Sequence, residues 1–105
     1  MADLNDRPGQ WIDPLIHAPA RLLIVTHLFV VEAADATFLV NRTGLTWGNL
    51  SSHLSKLEAA GYVAVEKTFR GKKPCTMVSL TEKGKAAFVQ YRSMMRETLA
   101  EPLET

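Results

Sequence analysis

The sequence predicts one mainly α-helical domain carrying a single β-hairpin, an α+β arrangement. Three observations predict it. Apolar residues recur at helical spacing in several stretches, among them Leu50, Leu54 and Leu57, and Phe88, Tyr91 and Met95. Glycines at 44 and 61 punctuate two of the helical stretches in quick succession. Finally, two alternating runs rich in β-branched and aromatic residues, "YVAVEKTF" and "CTMVSLT", flank the turn "RGKKP". A chain of 105 residues has the length of one domain with one modest core.

The elements follow in order. Residues 1–12 are polar up to Gln10 and contain Pro8 and Gly9, which suits a flexible arm. Residues 13–100 form the domain proper, and 101–105 a short tail. Trp11, Ile12, Leu15 and Ile16 make an apolar patch around Asp13-Pro14, a pair suited to opening a short helical turn. Pro19 opens a longer helix through Ala34 in the same way. That helix is apolar nearly all round, so burial on two sides is expected, one of them outside its own domain. Thr37 is read as the N-cap of a short helix that Gly44 closes. Leu45 links it to a second helix, which Thr46 caps and Gly61 ends. Two helices joined by a short glycine-containing turn are the outline of a helix-turn-helix. The hairpin follows at once, and Thr81 caps a last helix. Helix, short helix, helix, hairpin, helix is the winged helix-turn-helix layout.

Composition excludes several classes. Apolar residues make up 47% and charged residues 22%, ordinary for a globular chain. One cysteine, Cys75, rules out an internal disulfide and fits a reducing cytoplasm. No run is apolar enough to span a membrane, and the acidic start lacks the features of a secretory signal. His17, His27 and His53 lie far apart without cysteine partners, so no metal-ligand spacing is present and no cofactor is expected. No nucleophile–base pair, phosphate-cradling loop or paired-carboxylate motif appears, which argues against an enzyme. Net charge is only +1, yet it is unevenly placed. Residues 1–41 carry Asp3, Asp6, Asp13, Glu32 and Asp35 against Arg7 and Arg21. Residues 42–85 carry Arg42, Lys56, Lys67, Arg70, Lys72, Lys73, Lys83 and Lys85 against Glu58, Glu66 and Glu82. Such asymmetry marks a basic surface on a nearly neutral chain.

The informative stretch is "LTWGNLSSHLSKLEAAG", residues 45–61. Its three leucines take one side of the helix. Opposite lie Gly48, Ser52, Ser55 and Ala59, flanked by Ser51 and by Asn49, His53 and Lys56. A solvated helix face usually carries Glu, Lys and Arg, and Gly48 costs about 1 kcal/mol of helix propensity relative to Ala. A small, neutral, hydroxyl-rich face suits close approach to a large partner. The major groove of DNA admits a helix, and hydroxyls bond base edges or phosphates. Arg70, Lys72 and Lys73 at the hairpin tip then suit phosphate or minor-groove contacts, with Lys67 on the strand leading to them. Cys75 adjoins this tip, but nothing nearby except lysines would lower its pKa as a redox sensor requires. Met94 and Met95, with Trp11 and Ile12, suit dimer packing or a ligand pocket.

The segment "TGLTWGNLSSHLSKLEAAGYVAVEKTFRGKKPCTMVSLTEKGKAAF" resembles the winged-helix core of short MarR-like, also ArsR-like, prokaryotic transcriptional regulators. The elements "TGLT.GNLS.HL..LE.AGYV" and "F.G..P.T...LT..G" carry the resemblance over about half the chain, and "APARLLI" resembles the usual start of the first domain helix. The resemblance implies a homodimer on a pseudo-palindromic double-stranded DNA operator, and the surplus apolar surface of the N- and C-terminal helices suits them to join it. It places Thr46, Gly48, Asn49, Ser51, Ser52, Ser55 and Lys56 at the groove, and Arg70, Lys72 and Lys73 on the wing. Trp47 falls where such regulators vary, so no role passes to it. The expected function is that of a sequence-specific transcriptional regulator. A winged-helix protein-interaction module, or a regulator with an effector pocket at the dimer interface, stands as the alternative.

Overall fold

A computed structural model describes residues 12–100. The expected arm up to Trp11 and the tail from residue 101 lie outside them. The elements are α1 (Pro19–Val31), β1 (Ala33–Asp35), α2 (Ala36–Thr43), α3 (Trp47–Ala59), β2 (Val63–Arg70), β3 (Lys73–Leu80) and α4 (Glu82–Ala100). The three strands form an antiparallel sheet in the order β1-β3-β2. The helices and the expected hairpin stand in the expected order.

Local chemistry explains most boundaries. Asp13 caps the N-terminal turn, its Oδ1 accepting from the amides of Leu15 and Ile16. Pro19 begins α1, where its missing N–H costs nothing. Thr46 accepts from the Asn49 amide and so caps α3. At the far end of α3, Gly61 takes φ 81° and donates to the Glu58 carbonyl, while Tyr62 donates to that of Leu57. These two bonds are the Schellman pattern that satisfies the last carbonyls of a helix. Thr81 caps α4 through the Gly84 amide. The hairpin closes on Gly71 and Lys72, with Gly71 at φ 65°, in the first turn position where a type II′ turn takes glycine.

Two expectations are corrected. The first helix does not run to Ala34. Glu32 adopts φ 71°, outside the helical region, and Ala33–Asp35 leave to pair with Ser79–Met77 of β3. Tertiary pairing overrides helix propensity here, and the sheet has three strands rather than two. The N-cap of α2 is Asp35, not Thr37, because the Asp35 carboxylate accepts from the Phe38 amide at 2.7 Å.

One core joins these elements. Ile24, Val25 and Leu28 of α1 meet Leu39 of α2, Leu50, Leu54 and Leu57 of α3, Val63, Val78 and Leu80 of the sheet, and Phe88 and Tyr91 of α4. Phe29 and Phe88 pack α1 on α4 with ring centroids 4.9 Å apart. The N-terminal turn is tied in by polar contacts. His17 Nδ1 meets the Tyr91 hydroxyl at 2.9 Å, and the Tyr62 hydroxyl donates to Asp13. Burial and that bond to Asp13 push the Tyr62 phenol up to about 12, and burial raises Tyr91. Leu23, Val30 and Val31 of α1 stay exposed, Val30 at 75%. Among the described residues no helix is long and apolar enough to cross a membrane.

Candidate nucleic-acid interface

The exposed side of α3 is built by its buried side. Leu50, Leu54 and Leu57 are inserted in the core, which leaves Gly48, Asn49, Ser51, Ser52, Ser55 and Lys56 all exposed. A Cβ added at Gly48 would meet nothing within 4 Å, so no intramolecular packing requires glycine there. The Thr46 hydroxyl already serves as the cap of α3.

His53 at the edge of this face is fixed from behind. Arg21 of α1 donates through Nε to the Leu15 carbonyl at 2.6 Å and through Nη1 to His53 Nδ1 at 3.2 Å. An arginine can only donate, so Nδ1 is the acceptor and the imidazole proton sits on Nε2. Burial, then the Arg21 and Lys56 charges, lower the His53 pKa from its ordinary value.

The wing projects beside α3. Register divides its side chains between two faces. Lys67 pairs with Thr76 and Phe69 with Pro74, on the face that carries Val63 and Val65 nearer the core. Arg70 pairs with Lys73 on the other face, and Lys72 sits in the turn. The four basic residues are all exposed, but they do not share one face. Arg70 has a partner that the sequence does not reveal: its Nη1 lies 3.0 Å from Oδ2 of Asp35. Between the wing and the starts of α2 and α3 lies a cleft of about 310 Å³, lined in part by Asp35, Thr37, Trp47, Arg70, Lys73 and Cys75. Cys75 is half-buried at its edge.

Two aromatic residues to which the sequence assigns no role stand exposed beside this surface. Trp47 opens α3 at 57% exposure, and Phe69 sits below the wing tip at 69%. Each breaks the expectation that a large aromatic is buried, and an aromatic on a hairpin tip or at a helix start is the signal that could have found them. Of the methionines expected at an interface, Met95 is partly buried against the core, and Met94 is half-buried.

Residues 20–99 match the family described as a winged helix DNA-binding domain. Over 77 residues the chain is 32% identical to an uncharacterized protein of Methanocaldococcus jannaschii, a stretch that covers 73% of this chain and 84% of that protein. The fold is similar to that of a transcriptional regulator homologue from Pyrococcus horikoshii, with a TM-score of 0.81 and 25% identity over the whole of both chains. Reduced AbfR, in a structure bound to DNA, is similar in fold, with a TM-score of 0.61 and 18% identity over 86% of this chain and 68% of that one.

Proposed function

The chain belongs to the winged helix DNA-binding domain family, a family of DNA binders and not of enzymes, and on that premise we propose that it is a transcriptional regulator that binds double-stranded DNA sequence-specifically as a homodimer. In this reading α3 lies in the major groove. Gly48, Asn49, Ser51, Ser52, Ser55 and Lys56 face the base edges and their flanking phosphates, and the start of the helix at Thr46 sits at the groove's edge. Lys67, Lys72 and Lys73 meet phosphates or the minor groove beside it. The reading places the protein in the cytoplasm, where its DNA would be.

The observation that carries the proposal is the exposed face of α3. It has no packing role within the chain, it is free of carboxylates along Gly48, Ser51, Ser52 and Ser55, and it bears the cost of a glycine that no internal contact needs. A close-lying polyanion accounts for all three features. Homodimerisation is supported by the exposed Leu23, Val30 and Val31, which fall at helical spacing along one side of α1.

Selection of bound fragments from random duplex DNA tests the reading. Enriched inverted repeats are expected, with half-site centres about one helical turn, roughly 34–36 Å, or a multiple of it apart. Recovery of no sequence preference would leave the protein-interaction module as the better account.

A further inference from the structure

Arg70 is the wing residue whose guanidinium is already engaged, and the partner is the cap of α2. Asp35 ends β1 and caps α2, with Oδ1 taken by the Phe38 amide at 2.7 Å. Its Oδ2 takes Arg70 at 3.0 Å. A cap needs only an oxygen, and Asn, Ser or Thr supplies one without charge. A carboxylate here adds a negative charge beside a face proposed for a polyanion, and among the described residues Arg70 is the basic side chain in ion-pair reach of it. The two partners also differ in exposure. The Asp35 side chain is 19% exposed and its backbone is held in the sheet opposite Met77, whereas Arg70 is 71% exposed at the end of β2. The more exposed partner is the one on the wing.

From this geometry we infer that Arg70 is a positioning residue, not a phosphate contact: its ion pair with Asp35 clamps the wing to the N-terminus of α2 and sets where Lys72 and Lys73 stand relative to α3. The inference rests on the DNA-binding reading for its functional consequence, though the clamp itself does not. Both partners line the cleft that Trp47 and Lys73 also line, so the wing and the first turn of α3 border one gap. The tip of the hairpin extends beyond the core. Residues 66–74 are all exposed. A wing held before DNA arrives loses less freedom on binding than one that must be ordered there.

The test compares Arg70→Gln, Asp35→Asn, which keeps the cap oxygen, the double variant, and Lys72→Ala/Lys73→Ala. Affinity for a selected duplex is measured over a series of salt concentrations, and amide exchange is followed without DNA. Each single change at 35 or 70 is expected to weaken binding about two- to five-fold, as loss of a partly exposed ion pair would. The double variant should be no weaker than either single one. The slope of log affinity against log salt should stay unchanged in all three. The lysine pair should instead flatten it by about 0.9 for each phosphate no longer neutralised. Ladder amides of Thr68, Lys73 and Cys75 should exchange faster in the variants at 35 and 70, while those of Leu50, Leu54 and Leu57 do not. If Arg70→Gln flattens the salt slope and Asp35→Asn tightens binding, Arg70 is a phosphate contact and the inference is overturned. Unchanged wing exchange in both single variants overturns the clamp whatever the DNA result. A wild-type chain that binds no duplex overturns the DNA reading and with it the clamp's proposed role.

Discussion

Two glycines with similar sequence settings have opposite reasons to be there. Both lie in the first turn of a helix, where glycine costs at most the ~1 kcal/mol it costs in a helix interior relative to alanine. At Gly84 a Cβ would lie 2.1 Å from the Tyr62 carbonyl oxygen, a backbone atom already bonded to the Thr81 amide. At Gly48 it would meet nothing within 4 Å. Gly84→Ala is therefore expected to destabilise by about 2–3 kcal/mol or more. Gly48→Ala should stabilise by up to about 1 kcal/mol while weakening DNA binding. Urea unfolding of the two variants checks the opposite signs. His53 supplies a second residue-scale expectation. Its folded pKa lies below the ordinary 6.5, so as pH falls through 6.5 the unfolded chain takes up a proton that the folded chain resists. Its contribution to stability is thus fully present above 6.5 and is lost as pH falls from there towards the lowered folded value. Melting temperatures between about pH 8 and about pH 5 should drop less in His53→Gln than in the parent.

Helices and hairpin were legible where local chemistry decides them. Leu50, Leu54 and Leu57 fix the inner face of α3 by spacing alone, and the outer face follows from it. Thr46 and Thr81 cap because each has an amide three residues on to receive. β1 was not legible. "AAD" has no strand signature, and it is extended only because Ser79–Met77 of β3 lie alongside. The cap of α2 escapes for the same reason: Asp35 is extended, and so able to cap, because β1 leaves the helix to pair with β3. Nor could spacing show the Asp35–Arg70 pair, whose members lie on separate elements brought together by the sheet. The break after α1 carries a testable cost. Glu32 at φ 71° has a conformation that side chains disfavour, at about 1 kcal/mol or more. Glu32→Gly should therefore raise stability by about 1 kcal/mol, read from the denaturation midpoint at unchanged slope.

For the whole molecule, the core accounts for the inner surfaces of all four helices but leaves Leu23, Val30 and Val31 of α1 uncovered. A C₂ dimer that buries this stripe would also present two copies of α3 to one duplex, so assembly and recognition are one expectation. Sedimentation at micromolar protein should give twice the chain mass, and Val30→Glu should give the monomer with weaker DNA binding. A wild-type monomer would remove the inverted-repeat expectation while leaving the family and fold untouched.

The claim on which the rest depends is that the small, neutral face of α3 approaches DNA. Ser52→Glu tests it most directly. Position 52 is exposed, opposite the buried leucines, and open to a longer side chain without disturbing the core. The variant should melt within a few degrees of the parent, since exposed substitutions away from special features stay within about 0.5 kcal/mol. Its carboxylate would face the phosphates and base acceptors of the groove, so affinity for a selected operator should fall to the non-specific level. Equal affinity of Ser52→Glu and parent for that operator, at equal stability, would contradict the account.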